Sequence, residues 1–573
     1  MMSSPLADVT STSASADIDK DLAALAESMR ELNYRKDCID IELAILAESA
    51  RVLRSRKNAL VPRISRLPTE VLESVFEYLE EVKRFDGSAH DDVPACLVVT
   101  HVCRHWRTVA LECPTLWTFI YTPSPRYVGI MLERSKDFPL VVTYNTEVSL
   151  QDCLVPILSQ LPRIKILRFT SPFWEVKHIT DLLLSQPAPL LEVFEFYSLK
   201  PPGAPLFTHR LTSSDIFKER APRLRSVELG MFSLSLAAHV FSGLRTLCVT
   251  RTTTYQTTVP ELLSALSRMP ALEHLTVEKL DIVSSTTKLD EVSLARLKSI
   301  ALGAISIRDA TSLFEHLSIP ANAKIALKLT KIGGPQDFSG LFSAMNRYPN
   351  GTGSVFRSMR AIDYCIPSFV VQFSTSTEMQ QPDIWNTPDD DIRLSIQFTF
   401  EVWEQAEPSI IYDICRLVTG TQNKIQTFAY GSDHRPTRDF WRAGSAFLPE
   451  VEMIYNNCSH IGGLIDALKI NEGEQDPDIS YPSLRALFIE SVTFEDGDAE
   501  KLKDAMKTRA QHGVCIQSLR LVENDFLSAD QIQGFREVVT DVVEQDGPLT
   551  RFENWWANSF QCSDSDSWPG IME

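Results

Sequence analysis

The stretch Ile64–Ile120 reads ISRLPTEVLESVFEYLEEVKRFDGSAHDDVPACLVVTHVCRHWRTVALECPTLWTFI, and its apolar spacing predicts two or three short helices. Pro68 stands where the first helical residue would be, a position at which its missing N–H does no harm. Steps of one, three and four residues then place six apolar side chains on one helix face: Leu67, Val71, Leu72, Val75, Phe76 and Leu79. A second helical run spans residues 97–110 and ends before Pro114. Helices this short make a small core, so we expect apolar surface to remain for a partner.

Both halves of this stretch resemble the F-box, in the version abundant in mushroom-forming fungi. The matching residues are Leu67-Pro68-Thr69-Glu70-Val71-Leu72, Val75-Phe76, Leu79, Val102-Cys103-Arg104-His105-Trp106 and Pro114-Thr115-Leu116-Trp117. The resemblance implies binding to the Skp-family adaptor of cullin–RING ubiquitin ligases. It implies adaptor-binding roles for Leu67, Pro68, Val71, Leu72, Val75, Phe76, Leu79 and Trp106. The polar run 80–94 departs from the family pattern and is interpreted as a loop insertion.

Composition limits the classes of function. The chain has 573 residues, 44% of them hydrophobic and 23% charged, which is ordinary for a globular protein. A formal charge of −19 argues against nucleic acid or an acidic membrane as the main partner. No apolar run is long enough to cross a membrane, and no signal peptide is present, so we expect a cytoplasmic or nuclear protein. Eleven scattered cysteines fit reduced, mostly buried thiols.

Residues 17–61 predict one long helix. Neither Gly nor Pro occurs between Asp17 and Leu60, and a heptad seam alternates steps of three and four from Leu22 to Leu60, with lysines at two first positions. Two interpretations remain open at this point. The helix forms a coiled coil that dimerises the protein, or it packs on its own chain, as a straight helix or as a hairpin bending near Asn33. Residues 1–16 are small and polar and predict a disordered tail.

After residue 121 a repeated pattern begins, with apolar residues at positions one, four and six of a short run. It starts at Ile164, Leu191, Leu224, Leu244, Leu272 and Leu297, and returns at Leu484 and Ile516. Intervals of 20 to 33 residues between the first six are near the leucine-rich-repeat period. The pattern resembles the irregular repeats that follow many F-boxes, although the asparagine of regular repeats is mostly missing.

The repeated apolar pattern is weaker in residues 304–447. They contain strand-like runs, such as Ile392–Phe400, and polar inserts such as Glu378–Asp391. We nevertheless predict one continuous solenoid rather than two domains. The fold class is thus α/β: a disordered tail (1–16), a long helix or coiled coil (17–61), a small α-helical F-box (62–121), an irregular leucine-rich-repeat-like solenoid with parallel strands and insertions (122–545), and a tail (546–573).

Catalytic and metal signals are weak. His101 and His105 are spaced to share a helix face and lie near Cys96, Cys103 and Cys113, but no CxxC pair or HExxH motif accompanies them. The chain also lacks the phosphate-binding and nucleophile-elbow motifs. We expect neither a metal, nor a cofactor, nor catalysis.

Two hypotheses follow. In the first, the chain is the substrate-recognition subunit of a cullin–RING ligase, with the F-box on the adaptor and the repeats on an unidentified protein substrate. Strand alternation would direct Arg168, Glu195, Glu228 and Thr276 toward that substrate. In the second, the chain is a non-catalytic interaction scaffold that does not engage a ligase. An independent enzyme ranks third.

Overall fold

The computed structural model describes the chain in segments. They are residues 8–60, 67–85, 94–121, 124–145, 151–199, 210–211, 216–230, 233–234, 236, 238–250, 259–278, 290–332, 338–345, 356–364, 368–375, 392–400, 410–419, 424–432, 435–470, 479–495, 497–522 and 524–545. Contacts divide the chain into two compact units, residues 1–118 with 130–138 (the N-terminal unit) and residues 119–129 with 139–573 (the sheet unit). The predicted tail 546–573 and the insert 378–391 lie outside the described residues.

The N-terminal unit contains four helices, α1 (Asp8–Leu60), α2 (Thr69–Phe85), α3 (Ala95–Thr100) and α4 (Arg104–Glu112), and a 3₁₀ turn at Pro114–Trp117. Helix α1 is continuous, because no Gly or Pro interrupts it and ion pairs such as Arg35–Glu31 (2.8 Å) support its polar side. It begins at Asp8, so residues 8–16 belong to the helix and not to a disordered tail. It does not bend at Asn33, so the hairpin alternative is wrong.

The short helices of the N-terminal unit follow their local signals. The backbone N–H groups of Val71 and Leu72 both donate to the carbonyl of Pro68 (3.1 Å each), so α2 begins at Thr69, one residue after the predicted first helical position. Helix α2 runs on to Phe85, so the first part of the polar run 80–94 is helical rather than loop. Cys103 caps α4, with its sulfur accepting the backbone N–H of Trp106 at 3.4 Å. Trp117 is fully buried and donates from Nε1 to the carbonyl of Ala110 at 2.7 Å.

The sheet unit alternates strands with helices. Its strands are β1 (Phe119–Ile120), β2 (Leu140–Asn145), β3 (Ile164–Pro172), β4 (Val193–Leu199), β5 (Arg210–Leu211), β6 (Ser226–Gly230), β7 (Ser233–Leu234), β8 (Thr246–Thr250), β9 (His274–Glu278), β10 (Val292–Ser293), β11 (Ser299–Ser306), β12 (Leu317–Ser318), β13 (Lys324–Ile332), β14 (Ser358–Tyr364), β15 (Ser368–Ser374), β16 (Ile392–Phe400), β17 (Thr427–Ser432), β18 (Met453–Cys458), β19 (Ala486–Glu490), β20 (Ser518–Val522) and β21 (Asp541–Gln545).

Helices connect most of these strands. They are α6 (Gln151–Leu158), α7 (Val176–Ser185), α8 (Val259–Leu266), α9 (Ile307–Glu315), α10 (Phe338–Met345), α11 (Ile410–Thr419), α12 (Arg438–Phe447), α13 (Gly462–Leu468), α14 (Asp498–Gln511) and α15 (Ala529–Arg536), with 3₁₀ turns between β4 and β8. Helix α5 (Pro125–Arg134) contains residues of both units.

Seventeen of these strands form one large, mostly parallel sheet. From β1 to β13 each main strand pairs in parallel with the next one along the chain, and from β17 to β21 the same holds. Between these blocks the order is β13, β16, β15, β14, β17, with β15 antiparallel to both neighbours. The weak part of the repeat pattern therefore continues the sheet, but with reversed strand order and one antiparallel strand.

The core of the sheet unit lies between the sheet and its helices. Phe194 packs edge-on against Phe217 of a 3₁₀ turn, and Phe428 against Trp441 of α12, with ring centroids 5.4 and 6.0 Å apart. Successive helices from α8 to α15 contact one another, forming a layer on this face. The apolar positions of the sequence pattern supply the core, because alternate residues of a strand point to the same face. The six strands predicted between residues 164 and 302 are all present.

One asparagine side chain, that of Asn524, bridges two backbone groups of a neighbouring segment. Asn524 follows β20 in the spacing Leu519, Leu521, Asn524. Its Oδ1 accepts the backbone N–H of Val492 at 3.0 Å, and its Nδ2 donates to the carbonyl of Ile489 at 2.9 Å. The side chain thus satisfies one backbone group within β19 and one just after it, at the carboxyl end of that strand.

Candidate functional site

The short helices of the N-terminal unit expose apolar side chains. Val71 on α2, Val98 on α3 and Val102 after α3 keep 43%, 46% and 54% of their surface exposed. Tyr78, Leu79 and Leu111 are also exposed, as is Pro68. We call these seven residues the exposed apolar set. Exposed apolar side chains on a small helical unit are typical of a protein-binding surface, since their burial by a partner is favourable.

A compact core supports the exposed apolar set. Leu72 and Phe76 are fully buried, and the Phe76 ring lies 5.0 Å from the half-buried Trp106 ring. The predicted adaptor-binding residues therefore separate into two groups. Pro68, Val71 and Leu79 are exposed and Leu67, Val75 and Trp106 are half-buried, whereas Leu72 and Phe76 have no exposed surface to offer. We therefore correct the assignment of Leu72 and Phe76. These two side chains support the core, because α4 and the 3₁₀ turn fill the inward side of α2.

One hydrogen bond fixes the second half of this region against the first, and another fixes a turn within the second half. Thr115 Oγ1 donates to Glu77 Oε1 at 2.6 Å, which holds the 3₁₀ turn on α2. Arg107 Nε donates to the carbonyl of Thr100 at 2.7 Å, which fixes the turn between α3 and α4. Val98 and Val102, beside that turn, were not among the predicted site residues. The signal for Val98 was the apolar run Leu97-Val98-Val99, in which only Val99 is fully buried, and Val102 lies outside that run.

The four predicted substrate-binding residues lie in a single cross-strand row. Arg168 on β3 pairs with Glu195 on β4, which pairs with Glu228 on β6. Glu228 pairs with Cys248 on β8, and Cys248 with Thr276 on β9. These residues alternate with the core positions of each strand, so they point away from the helix layer. We call this line and its continuation across the sheet the middle row.

The N-terminal part of the middle row is polar and accessible. Arg168, Glu195, Glu228 and Thr276 are half-buried, and Cys248 is buried between them. Arg168 Nε donates to Glu195 Oε1 at 2.7 Å, and the Tyr197 hydroxyl donates to Glu228. At this exposure an ion pair contributes little to stability, so these charges are available to a ligand at small cost.

Farther along, the middle row is buried. Register extends it through Ser395, Gln372, Arg360 and Ala429 to Tyr455, Phe488 and Arg520. The members from Ser395 to Phe488 are all buried. The Tyr455 and Phe488 rings stack at 4.1 Å, and the guanidinium of Arg520 lies 5.1 Å from the Phe488 ring. Burial raises the pKa of the Tyr455 hydroxyl well above its ordinary value. Sequence reasoning assigned no role to these residues. The members from Ser395 to Ala429 lie in the region where the repeat pattern weakens, whereas Phe488 and Arg520 lie on strands that carry the pattern.

The residues considered for metal binding are dispersed. His101 lies in the turn after α3, Cys103 caps α4 and His105 is on α4, so the two histidines do not share one helix. Among the described residues, no three His, Cys, Asp or Glu side chains are grouped as metal ligands would be. The same segments contain no helix with the length and apolar character required to cross a membrane.

Comparison with known families identifies one domain. The F-box-like family model matches residues 64–123, which include α2, α3, α4 and the 3₁₀ turn. A search of curated proteins finds no match to the chain. The chain thus contains an F-box-like domain followed by a large, mostly parallel α/β sheet. Domains of this kind indicate an adaptor-binding subunit of a ubiquitin ligase, a class of proteins that is generally non-catalytic.

Proposed function

We propose that this protein is the substrate-recognition subunit of a cullin–RING ubiquitin ligase. The F-box-like domain at residues 64–123, with apolar side chains exposed on its helices, is the observation that supports this proposal. In this function the domain binds the Skp-family adaptor and the sheet unit binds a target protein. The chain makes and breaks no covalent bond itself; it raises the concentration of the target near the ubiquitin-charged enzyme.

The adaptor would contact the exposed apolar set rather than the buried core beneath it. Burial of valine side chains that are about half exposed is favourable at roughly 25 cal/mol per Å² of apolar surface. A charged residue at the same place would be desolvated without a partner, which costs more than the lost apolar contact. Surface substitutions should therefore abolish adaptor binding while the helices remain folded.

Co-purification with the adaptor tests this step. We expect the wild-type chain to capture the adaptor and the variant Val98→Asp with Val102→Asp to lose it by at least tenfold. Trp174→Asp is the matched control, since Trp174 is equally exposed, at 56%, but belongs to the sheet unit. Leu67→Ala with Pro68→Ala should also weaken capture. If the wild-type chain captures no adaptor, the ligase function is wrong and the scaffold hypothesis replaces it.

Target binding would use the accessible part of the middle row. Arg168, Glu195, Glu228 and Thr276 lie on four strands that pair through Cys248 on β8, with both signs of charge and half-exposed side chains. The buried part from Ser395 to Phe488 presents no comparable surface. Adjacent, rigidly held strands give the well-defined positions that a specific interface requires.

Affinity capture with mass spectrometry tests the target surface. The variant Arg168→Glu with Thr276→Lys should still capture the adaptor but lose proteins that the wild-type chain retains. Lys165→Glu with Arg223→Glu, at exposed positions outside the middle row, serves as the control. Identical sets of captured proteins for wild type and middle-row variant would rule out this surface.

A further inference from the structure

Helix α1 exposes most of its heptad seam. Leu22, Met29 and Leu43 at first positions, and Leu25, Leu32, Ile39, Leu46 and Leu53 at fourth positions, each keep between 55% and 66% of their surface exposed. In residues 17–57 only Cys38 and Ala50 are even half-buried. Eight large aliphatic side chains in one line along a helix are costly in water, and no described part of the chain covers them.

The contact that α1 makes with α4 leaves this seam uncovered. Arg104 of α4 reaches Glu48 of α1 at 3.3 Å. Glu48 stands two residues after the fourth-position Leu46, on the side of the helix opposite the seam. The ion pairs Arg30–Glu27 and Arg51–Glu48 also lie on that side. The intramolecular contact therefore uses one face of α1 and keeps the other available.

We propose that this seam pairs with the same seam of a second copy of the chain, in antiparallel orientation, to form a dimeric coiled coil. Eight aliphatic side chains on each copy, at about 60–100 Å² apiece, would bury about 1,000–1,600 Å² in total. That estimate overlaps the range of specific protein interfaces, about 1,200–2,000 Å². The heptad spacing selects another α1 as the occupant, because knobs-into-holes packing needs the same period on both helices.

Charge determines the orientation. Residues 17–42 contain eight acidic and four basic side chains, whereas residues 43–57 contain one acidic and four basic ones. A parallel pair would place like charge beside like charge along the whole helix, while an antiparallel pair places each acidic half beside a basic half.

The position of Lys36 in the seam favours the same antiparallel orientation. In a parallel, in-register pair, Lys36 of one chain would face Lys36 of the other inside the seam. In an antiparallel pair, Lys36 faces a fourth-position residue of the other chain. The fourth positions are Leu or Ile throughout residues 17–57.

Molar mass in solution tests the dimer with the full chain. Light scattering across a concentration series should give twice the chain mass of 64.5 kDa for the wild type. Ile39→Asp with Leu46→Asp should give the monomer mass. Ile41→Asp with Ile45→Asp is the control and should remain dimeric, because these residues are as exposed (62% and 61%) but lie off the seam. A monomeric wild type at about 10 µM, or equal dissociation of both variants, would overturn the proposal.

Charge reversal tests the orientation. The variant Arg54→Glu with Arg56→Glu makes the basic half acidic. In the antiparallel dimer this places acid beside acid and should weaken association at least tenfold at low salt, with the difference shrinking at 1 M salt. In a parallel dimer the same variant relieves repulsion between two basic halves, so association would become tighter. Tighter or unchanged association would therefore exclude the antiparallel arrangement.

Discussion

At the scale of single residues, Gly444 on α12 shows how closely the sheet unit is packed. A Cβ atom at this position would lie 2.4 Å from the Tyr481 hydroxyl and 2.6 Å from the Tyr412 hydroxyl. Both tyrosines are buried, and burial raises the pKa of each hydroxyl well above its ordinary value. Neither side chain has solvent to move into, so α12 can approach Tyr412 of α11 and Tyr481 this closely only without a side chain at residue 444.

We predict that Gly444→Ala destabilises the protein by about 1–3 kcal/mol, since overpacking forces neighbouring side chains from their preferred rotamers. Chemical denaturation followed by tryptophan fluorescence would measure the change. Gly462→Ala on α13 is the matched control, because a Cβ there meets no atom within 4 Å. That change should be neutral or slightly stabilising, given the better helix propensity of alanine. Equal effects of the two substitutions would contradict the packing argument.

His274 at the start of β9 gives a pH-dependent prediction. The pKa of His274 is lowered below its ordinary 6.5. Burial is the larger cause, and the positive charge of the nearby Lys298 is the second. Because the unfolded chain then binds more protons than the folded one, this group favours folding above pH 6.5, and that contribution is lost as pH falls through the folded pKa. Lys298→Met should raise the pKa of His274, since it removes a positive charge and leaves Glu273 less neutralised. Histidine NMR titration would detect the shift, and Lys507→Met should not produce it.

At the scale of elements, α2 shows what periodicity predicts and what it leaves open. Its apolar stripe predicted the helix and its first turn correctly. The stripe is wider than the buried face, however, and spacing alone did not show that Leu72 and Phe76 fill the core while Val71 stays exposed. That distinction depends on α4 and Trp106, whose position against α2 is a tertiary contact. Sequence reasoning therefore identified the helix and its apolar stripe but did not separate the buried side chains of the stripe from the exposed ones.

Core and surface substitutions in this region should separate in their effects. Phe76→Ala removes a fully buried ring and should destabilise the N-terminal unit by about 3–5 kcal/mol. Val98→Asp changes a side chain that is nearly half exposed and should alter stability by less than about 1 kcal/mol. Circular dichroism during thermal unfolding would distinguish them. A large loss of stability in Val98→Asp would show that this surface is covered by the chain itself.

At the scale of the whole molecule, the repeated apolar pattern predicted the parallel strands on both sides of the irregular region but not the order within it. The pattern fixes which residues of a strand face the core, and it says nothing about which strand becomes the neighbour. In this sheet β13 pairs with β16, and β14 pairs with β17. The reversal follows from two antiparallel pairings, β14 with β15 and β15 with β16, which the separate strand-like runs did not reveal.

This order predicts the behaviour of a shortened chain. A protein ending at residue 345 would keep β13 but lose β16, and so leave the backbone groups of β13 without a neighbour on one side. Unpaired edge strands promote aggregation, so we expect this fragment to be insoluble or to form large assemblies in light scattering. The double substitution Ala326→Lys with Thr330→Lys, at half-exposed positions of β13, should make this fragment more soluble. Charged side chains on an edge strand hinder its pairing with another chain. A soluble, monomeric fragment without these changes would contradict the prediction.

The same strand order matters while the protein is being synthesised. Strand β13 ends at Ile332, and its eventual neighbour β16 spans Ile392–Phe400. At translation rates of about 5–20 residues per second, the ribosome needs about 3–14 s to supply that neighbour. During this interval the nascent chain presents an open sheet edge, and β14 and β15, which emerge first, do not close it. Synthesis of this protein therefore includes an interval of several seconds in which one defined strand edge would be open to a chaperone or to another chain.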